Sequence, residues 1–401
     1  MTQPELAELS RFLFEPLALS LLTVSMVAYL YAMSARHVPR PDGTVATSGR
    51  RAEQAGFVLA VLGTIALAAH IVVRTLAAER MPLGNMFEFS TIIALTTVVV
   101  GLVVVVGRLK RPDLMGFLLL GAVLTMGAAL LVYTEPGPLQ QVLGTSWRAI
   151  HVSAIVFAAG LFTVAFVFGA LYLLRDTAER HLRASMPGGS VGAARAVDLA
   201  DDDLGTVPQR TSPDTVEGDV AELEEQFGKE HRRRMRAAID PVRLAVGTLL
   251  GTSAVSWVFW VEGLRAGQDL FGSGFTRFVT VDIVMVLAAL LARWAVPYLP
   301  SAATLDAMAY RTIAFAFPIW SFAVITGAIW AEQSWGRYWG WDPKETSAFL
   351  TWVAYAGYLH ARATRGMKGR NAGWLAILAF GVLMFTYYGV NLVISGLHSY
   401  A

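Results

Sequence analysis

Ten apolar stretches, each long enough to cross a lipid bilayer, constrain this chain more than any other feature. A spanning helix needs ~20 mostly apolar residues. Only 15% of the 401 residues are charged, against roughly 25% in an average soluble domain. We therefore predict an all-α, polytopic membrane helix bundle with about ten transmembrane helices, at 13–34, 55–76, 88–107, 114–133, 149–174, 242–262, 278–299, 308–331, 347–363 and 372–395.

Basic residues near the ends of these stretches predict the orientation. If the N-terminus is outside, 24 of the 32 lysines and arginines fall in inside segments, as the positive-inside rule requires. We therefore expect an N-out, C-out protein whose first span is retained and not a cleaved signal. We expect an N-terminal bundle of about five spans over 1–174 and a flexible cytoplasmic loop over 175–241. A C-terminal bundle over 242–401 follows, with an external loop at 332–346.

The composition also excludes several kinds of chemistry. The chain has no cysteine, so it forms no disulfide, zinc–thiolate site or iron–sulfur cluster of its own. It has no phosphate-binding glycine motif and no HExxH zinc motif. We expect a membrane-embedded chain with no nucleic-acid partner; its net charge of +2 says little by itself.

The external loop between the eighth and ninth spans carries a dense aromatic cluster. It reads WGRYWGWDPKET from Trp335 to Thr346, with three tryptophans and one tyrosine within seven residues. Tryptophan and tyrosine also form belts at membrane surfaces, which is the alternative explanation. A belt, however, spreads its rings over many helix ends. Consecutive flat rings with charges nearby favour a platform that binds a flat ligand.

Three histidines are candidate ligands of a metal or a metal-containing group. His151 and His398 lie on the predicted outer side, as the aromatic loop does, and two histidines can bind one haem iron from opposite faces. His360 lies toward the inner end of the ninth span, where an ionisable group is costly and often functional. The alternatives are interfacial hydrogen bonding for the first two and helix packing for His360. We expect His70, in the second span, to be structural.

Other charged residues have two possible roles. Glu88 enters the membrane with the third span and needs either a partner or a role, with Asn85, in capping that helix. The external cations Arg148, Arg337 and Lys344 could pair with carboxylates of an amphipathic ligand or with acidic residues nearby in the sequence.

The aromatic loop resembles the tryptophan-rich "WWD" signature of haem-handling proteins of cytochrome c maturation. The surrounding segments resemble the CcsA/ResC family, strongly over about 300–401, fairly over 55–175 and weakly over 176–299. The segments that carry the resemblance are Leu305-Asp306, Tyr310-Arg311, Phe317-Pro318, Gly327-Ala328-Ile329-Trp330-Ala331, Asp342-Pro343-Lys344-Glu345-Thr346, Gly389-Val390-Asn391 and Gly396-Leu397-His398-Ser399-Tyr400.

This resemblance implies roles for particular residues. His151 and His398 match the two external histidines that hold the iron of haem b over the loop. His360 matches a transmembrane histidine that holds haem on its way out. The signature residues Trp335, Trp339, Trp341 and Asp342 are the expected catalytic positions, where they would hold the vinyl edge of haem toward incoming thiols.

The resemblance also implies partners and an activity. With a ResB/Ccs1 subunit, the chain is expected to export haem and attach it to the Cys-x-x-Cys-His motif of apocytochrome c, as part of a system II cytochrome c synthase in a bacterial plasma membrane. Thioredoxin-like and CcdA-like reductants would keep those thiols reduced. The alternatives are a system I-type haem chaperone, or a transporter or scaffold for a ligand other than haem.

Overall fold

The structure is a computed structural model that describes residues 1–35, 47–138, 145–185, 228–364, 366–394 and 396. Helices make up nearly all of these residues, and the described ranges contain no strand. Nine of their helices are long and apolar enough to cross a membrane. The predicted all-α, multi-pass membrane bundle is therefore confirmed.

Ten principal helices follow one another along the chain. They are α1 Gln3–Ala35, α2 Thr47–Ala78, α3 Met86–Arg108, α4 Met115–Leu131, α5 Ser146–Ser185, α6 Pro241–Arg265, α7 Ser273–Ala295, α8 Ala302–Trp335, α9 Pro343–Thr364 and α10 Arg370–Leu392. Each contains one of the ten predicted apolar stretches or most of it. With 22 residues, α9 is long enough to span, but it is not among the nine that are also apolar enough.

The predicted cytoplasmic loop begins and ends inside helices. α5 continues to Ser185, and a further helical segment covers 228–237, just before α6. Met235 and Ile239 of this region are buried in the same core as the C-terminal part of α5. Residues 186–227 lie outside the described residues.

The long helices α5 and α8 form the centre of the bundle and run antiparallel. Near the end of α5, the Glu179 carboxylate accepts a hydrogen bond of 3.0 Å from the backbone N–H of Ala302, the first residue of α8. Near the start of α5, the His151 ring contacts the carbonyl oxygen of Ala323 in the second half of α8. Contacts at both ends hold the register of the pair.

The remaining helices pack around this pair. α9 runs antiparallel to α8, since Arg362 near the end of α9 pairs with Asp306 near the start of α8 at 2.7 Å. The rings of Phe162 on α5 and Tyr355 on α9 stack at 3.7 Å between centroids. α6 and α7 form a peripheral hairpin with few buried residues. α8 contains 34 residues and is therefore ~50 Å long, so it connects the two ends of the bundle.

Candidate functional site

A buried charge network shapes the loop before α3. The Glu88 side chain is completely buried and pairs with Arg74 of α2 and with Arg80 of the loop, both at 2.9 Å. It also accepts the backbone N–H of Gly84 at 2.6 Å. The Asn85 side chain accepts the N–H of Glu88 and caps α3. Both explanations given for Glu88 from the sequence, an ionic partner and a helix cap, therefore hold together.

This loop forms one edge of a large cavity near the end of α8. The cavity contains about 1210 Å³ of non-atom space, including its opening to solvent. Its walls come from five helices and two loops and are mostly apolar or aromatic. The residues that line it include Leu83, Gly84, Phe89, Ile93, Arg148, His151, Trp320, Gly327, Trp330, Tyr338, Trp339, Lys344, Glu345, Tyr387 and Asn391.

His151 is the only histidine among the cavity-lining residues that the structure describes. Its Nδ1 lies 2.7 Å from the carbonyl oxygen of Ala323. A carbonyl oxygen can only accept a hydrogen bond, so Nδ1 carries the proton and the lone pair of the neutral ring is on Nε2. The same second-shell bond commonly fixes the tautomer and orientation of a metal-binding histidine.

The His151 ring is also held by packing. It stacks on Trp330 of α8, with 5.9 Å between ring centroids and 26° between planes. On the same helix, a Cβ at Gly327 would lie 2.7 Å from both Nδ1 and Cε1 of His151. Real Cβ atoms do not approach so closely, so only glycine at 327 allows the ring to lie against α8 in this position.

Glu345 organises the aromatic loop. Its Oε2 accepts the backbone N–H groups of Gly340 and Asp342 at 2.8 and 3.1 Å. The Arg337 guanidinium occupies the space where a Cβ of Gly340 would be, so a side chain at residue 340 would displace it. Trp341 adopts a positive φ of 57°, which is unusual for a bulky residue and indicates backbone strain within the loop. The loop is thus a defined turn that places Trp339 at the cavity.

Two cations lie at the cavity. The Arg148 guanidinium donates to the carbonyl oxygen of Leu83 at 2.6 Å and ties α5 to the loop before α3. Lys344, in the first turn of α9 and before its apolar part, has its pKa lowered by burial to about 8 from an ordinary value of 10.5. A partly buried cation of this kind attracts a carboxylate, which would offset its desolvation.

The predicted site residues are not all at the cavity. His151 and Trp339 line it. Trp335, the last residue of α8, packs its ring 5.3 Å from that of Trp330 and reaches the site only through it. Trp341 is 69% exposed, and His360 faces outward from α9.

Asp342 has a structural position beside the same loop. It is 6% exposed and accepts the backbone N–H of Lys344 at 3.1 Å, so it caps α9. A Cβ at Gly396 would lie 2.6 Å from Asp342 Oδ2, so the backbone of Gly396 lies against this carboxylate. His398 follows two residues later in the sequence and lies outside the described residues.

Most of the cavity-lining residues were not identified as site residues from the sequence, and three of them make specific contacts. Trp330 stacks on His151. Tyr387 donates from its hydroxyl group to the carbonyl oxygen of Met86 at 2.7 Å, and the Asn391 amide donates to the Tyr387 carbonyl oxygen at 2.6 Å. Trp330 and Asn391 do occur in the segments that carry the family resemblance. Nothing in their local pattern distinguishes a cavity wall from a packed helix face.

Together, the fold and the cavity define a class: a multi-pass membrane helix bundle with an aromatic cavity that holds an oriented histidine near one end. A family model described as "Cytochrome C assembly protein" matches residues 12–398, and the chain therefore belongs to the cytochrome c assembly protein family. The predicted resemblance to the CcsA/ResC branch is confirmed by relatives that carry the name "Cytochrome c biogenesis protein CcsA".

The similarity to these relatives is of two kinds. The protein from Rippkaea orientalis is 29% identical over 360 residues, which cover 86% of this chain and 89% of the relative. The protein from Synechococcus elongatus is 54% identical over 97 residues, 24% of this chain and 30% of the relative. The protein from Guillardia theta is 52% identical over 97 residues, 24% of this chain and 32% of the relative. The matched region thus covers about a third of the length of each of these last two proteins.

Proposed function

We propose that this chain is a haem-handling subunit of a system II cytochrome c synthase. It would hold haem b in the cavity at the outer face of a bacterial plasma membrane and present it for covalent attachment to apocytochrome c. The observation that carries this proposal is His151: a histidine at the cavity, with its tautomer held by the Ala323 carbonyl and its ring held between Trp330 and Gly327. Membership in the cytochrome c assembly family supports the same role.

The residues at the cavity fit haem chemically. Haem is flat and apolar over most of its surface, and Trp320, Trp330 and Trp339 are among the residues that line the cavity. Haem also carries two propionate carboxylates, for which Arg148 and Lys344 are the nearby cations. Its iron takes axial imidazole ligands, and the lone pair of His151 is on Nε2.

The second axial ligand in this proposal is His398. The C-terminal segment passes against Asp342 at Gly396, so it reaches the loop that carries Trp339. Asp342 would then act as a positioning residue that joins the loop, α9 and the C-terminal segment. Trp335 would hold Trp330, and the exposed Trp341 would be available to contact the incoming apocytochrome.

Haem supplies the two vinyl groups to which the cysteines of a Cys-x-x-Cys-His motif add. The chain's own contribution is to bind haem, to orient it and to exclude water from its vinyl edge. Positioning alone can supply a large share of a rate enhancement. We assign no proton transfer to a residue of this chain. Keeping the thiols reduced would fall to thioredoxin-like and CcdA-like partners, because this chain has no cysteine.

The exposed His360 fits a role in haem transfer from a partner subunit. It faces outward on α9, so a ligand opposite to it would come from another membrane protein. In this proposal that protein is of the ResB/Ccs1 type, and the two histidines would hold haem before it moves to the outer cavity.

The test compares His151→Ala with His181→Ala. Both residues are on α5, but His181 is exposed near the opposite end of the helix. Each variant is purified from membranes with a ResB/Ccs1 partner, and its haem absorption per protein and its yield of holocytochrome c are measured. We expect loss of the cytochrome only in His151→Ala, together with loss of the share of haem absorption that comes from the cavity; haem held between His360 and the partner would remain.

Other outcomes point to other functions. Normal haem absorption and cytochrome yield in His151→Ala would refute the role of His151. Haem bound by the unmodified chain without any cytochrome c formation in the presence of the partner would favour a system I-type chaperone. No haem absorption after haem addition to the unmodified chain would favour a ligand of another class.

A further inference from the structure

A second concavity lies far from the cavity and is strongly basic. It contains about 710 Å³ of non-atom space, including open solvent, and five of the six residues that line it are cations. They lie on the helical segment 228–237 and near the end of α7. We call this site the basic pocket; it is lined by Lys229, Arg232, Arg233, Arg236, Ala237 and Arg293.

Two of these arginines are held in place by backbone carbonyl groups. Arg236 donates to the carbonyl oxygen of Trp294 at 2.9 Å, and its guanidinium lies 5.5 Å from the centre of the Trp294 ring. Arg293 donates to the carbonyl oxygens of Ile239 and Arg236 at 2.7 and 3.0 Å. A guanidinium that is already oriented loses less entropy when it binds an anion.

The carboxylates next to the basic pocket are engaged outside it. Glu230 pairs with Arg234 at 2.9 Å. Asp240 caps α6 and lies 3.6 Å from Arg243. Neither carboxylate lines the pocket, so neither lies among the cations that face it.

The basic pocket lies at a membrane surface. Arg293 is at the end of α7, and the chain reaches the start of α8 at Ala302 a few residues later. The cavity described above is lined by α8 from Trp320 to Ala331, ~27–44 Å from Ala302 along the helix. Trp294 and Tyr298 lie beside the pocket, and such rings favour the headgroup region. Lysine and arginine concentrate on the inner side of membrane proteins, where anionic lipids also attract them.

An exposed apolar face of α6 begins at Val242, five residues after Ala237 of the basic pocket. Val242, Val246, Leu249 and Leu250 of α6 are 44–68% exposed. Their spacing of i, i+4, i+7 and i+8 puts them on one face of the helix. Within a few residues the chain thus passes from the cations of the pocket to an exposed apolar helix face. This combination matches an amphipathic anion and does not match a small soluble one.

We propose that the basic pocket binds the phosphodiester headgroup of an anionic phospholipid, whose acyl chains lie along the exposed face of α6. Arg236 and Arg293 form the fixed part of the site, and Arg232, Arg233 and Lys229 surround the headgroup. The lipid anchors the end of the helix bundle that lies opposite the haem cavity. At that end, the α6–α7 hairpin has few other contacts with the bundle.

The test uses the full chain in a neutral detergent. Short-chain phosphatidylglycerol, phosphatidylcholine and inorganic phosphate are each titrated, and binding is followed by the shift in thermal unfolding and by mass spectrometry of the intact complex. The pocket variant is Arg232→Gln/Arg233→Gln, which leaves the anchored arginines in place. The control is Arg234→Gln/Arg243→Gln, with the same change in charge on nearby residues outside the pocket.

We expect phosphatidylglycerol to raise the unfolding temperature and phosphatidylcholine not to do so. Each lost cation weakens anionic lipid binding about fivefold, so the pocket variant should bind about 30-fold more weakly and the control nearly as well as wild type. Equal binding of both lipids, or an equal loss in the control, overturns the proposal. Inorganic phosphate that binds as tightly as the lipid overturns the lipid assignment, since the face of α6 then contributes nothing.

Discussion

Replacement of Gly327 by alanine adds one methyl group against the candidate haem ligand. That Cβ would lie 2.7 Å from Nδ1 and Cε1 of His151, and ordinary contacts are longer by about 1 Å. α8 is fixed along its length by α5, so the imidazole ring must move. Its 2.7 Å hydrogen bond to the Ala323 carbonyl oxygen then lengthens or breaks. The variant therefore removes the orientation of His151 and leaves the residue itself in place.

The magnitude follows from two effects. Overpacking costs about 1–3 kcal/mol, and the better helix propensity of alanine returns up to about 1 kcal/mol. The net loss of folding stability is therefore modest, at about 0–2 kcal/mol. Loss of the bond that orients a metal ligand lowers affinity about 10–100-fold. Haem retention should therefore fall much more than stability does.

The assay measures haem absorption per protein during titration with haem, together with thermal unfolding. Gly251→Ala on α6 is the matched control, because a Cβ there meets nothing within 4 Å. We expect Gly251→Ala to bind haem as wild type does. If Gly327→Ala keeps wild-type haem affinity while folded, the argument that the Ala323 bond and the glycine contact orient His151 is refuted.

Further expectations concern the charges and the C-terminal segment. Glu88→Gln leaves two cations beside a neutral side chain, so we expect a loss of about 3–5 kcal/mol in the free energy of unfolding. Chemical denaturation measures this loss, and the control variant Glu15→Gln should show no measurable change. Burial lowers the Lys344 pKa to about 8, so haem affinity should fall as pH rises through 8, and Lys344→Arg should remove this dependence. The free energy of unfolding should instead rise between pH 8 and 10.5, because in that range only the unfolded chain still binds the Lys344 proton. Gly396→Ala places a Cβ 2.6 Å from Asp342 Oδ2 and should reduce haem retention about tenfold by displacing the C-terminal segment, as read from dissociation of haem from the purified chain.

Each expectation has a result that contradicts it. Equal denaturation midpoints for Glu88→Gln and Glu15→Gln would show that the buried network contributes little. A haem affinity that does not change from pH 7 to 9 in the wild-type chain would show that Lys344 does not pair with the carboxylates of the ligand. Unchanged haem dissociation in Gly396→Ala would mean that the contact with Asp342 does not position the segment that carries His398.

The candidate site could be predicted from the sequence only in part. The sides of the membrane are encoded in the positions of basic residues, so His151 and the aromatic loop could be assigned to one face. The inward face of each helix could not be assigned, because spanning helices are apolar all round and show little periodicity. Trp330 and Trp341 illustrate this: both are tryptophans near the same helix end, but one is 4% exposed behind His151 and the other is 69% exposed.

The sequence by itself determined the ten helices and the family, because the length and apolarity of a span and the tryptophan-rich motif are local properties. Only the tertiary structure decided which residues meet. The partners of Glu88 are 14 and 8 residues away, but those of His151 are 172 and more residues away on α8. Such contacts depend on how α5 and α8 pack along their whole length. A one-residue change of register or rotation would place a different side chain at each position.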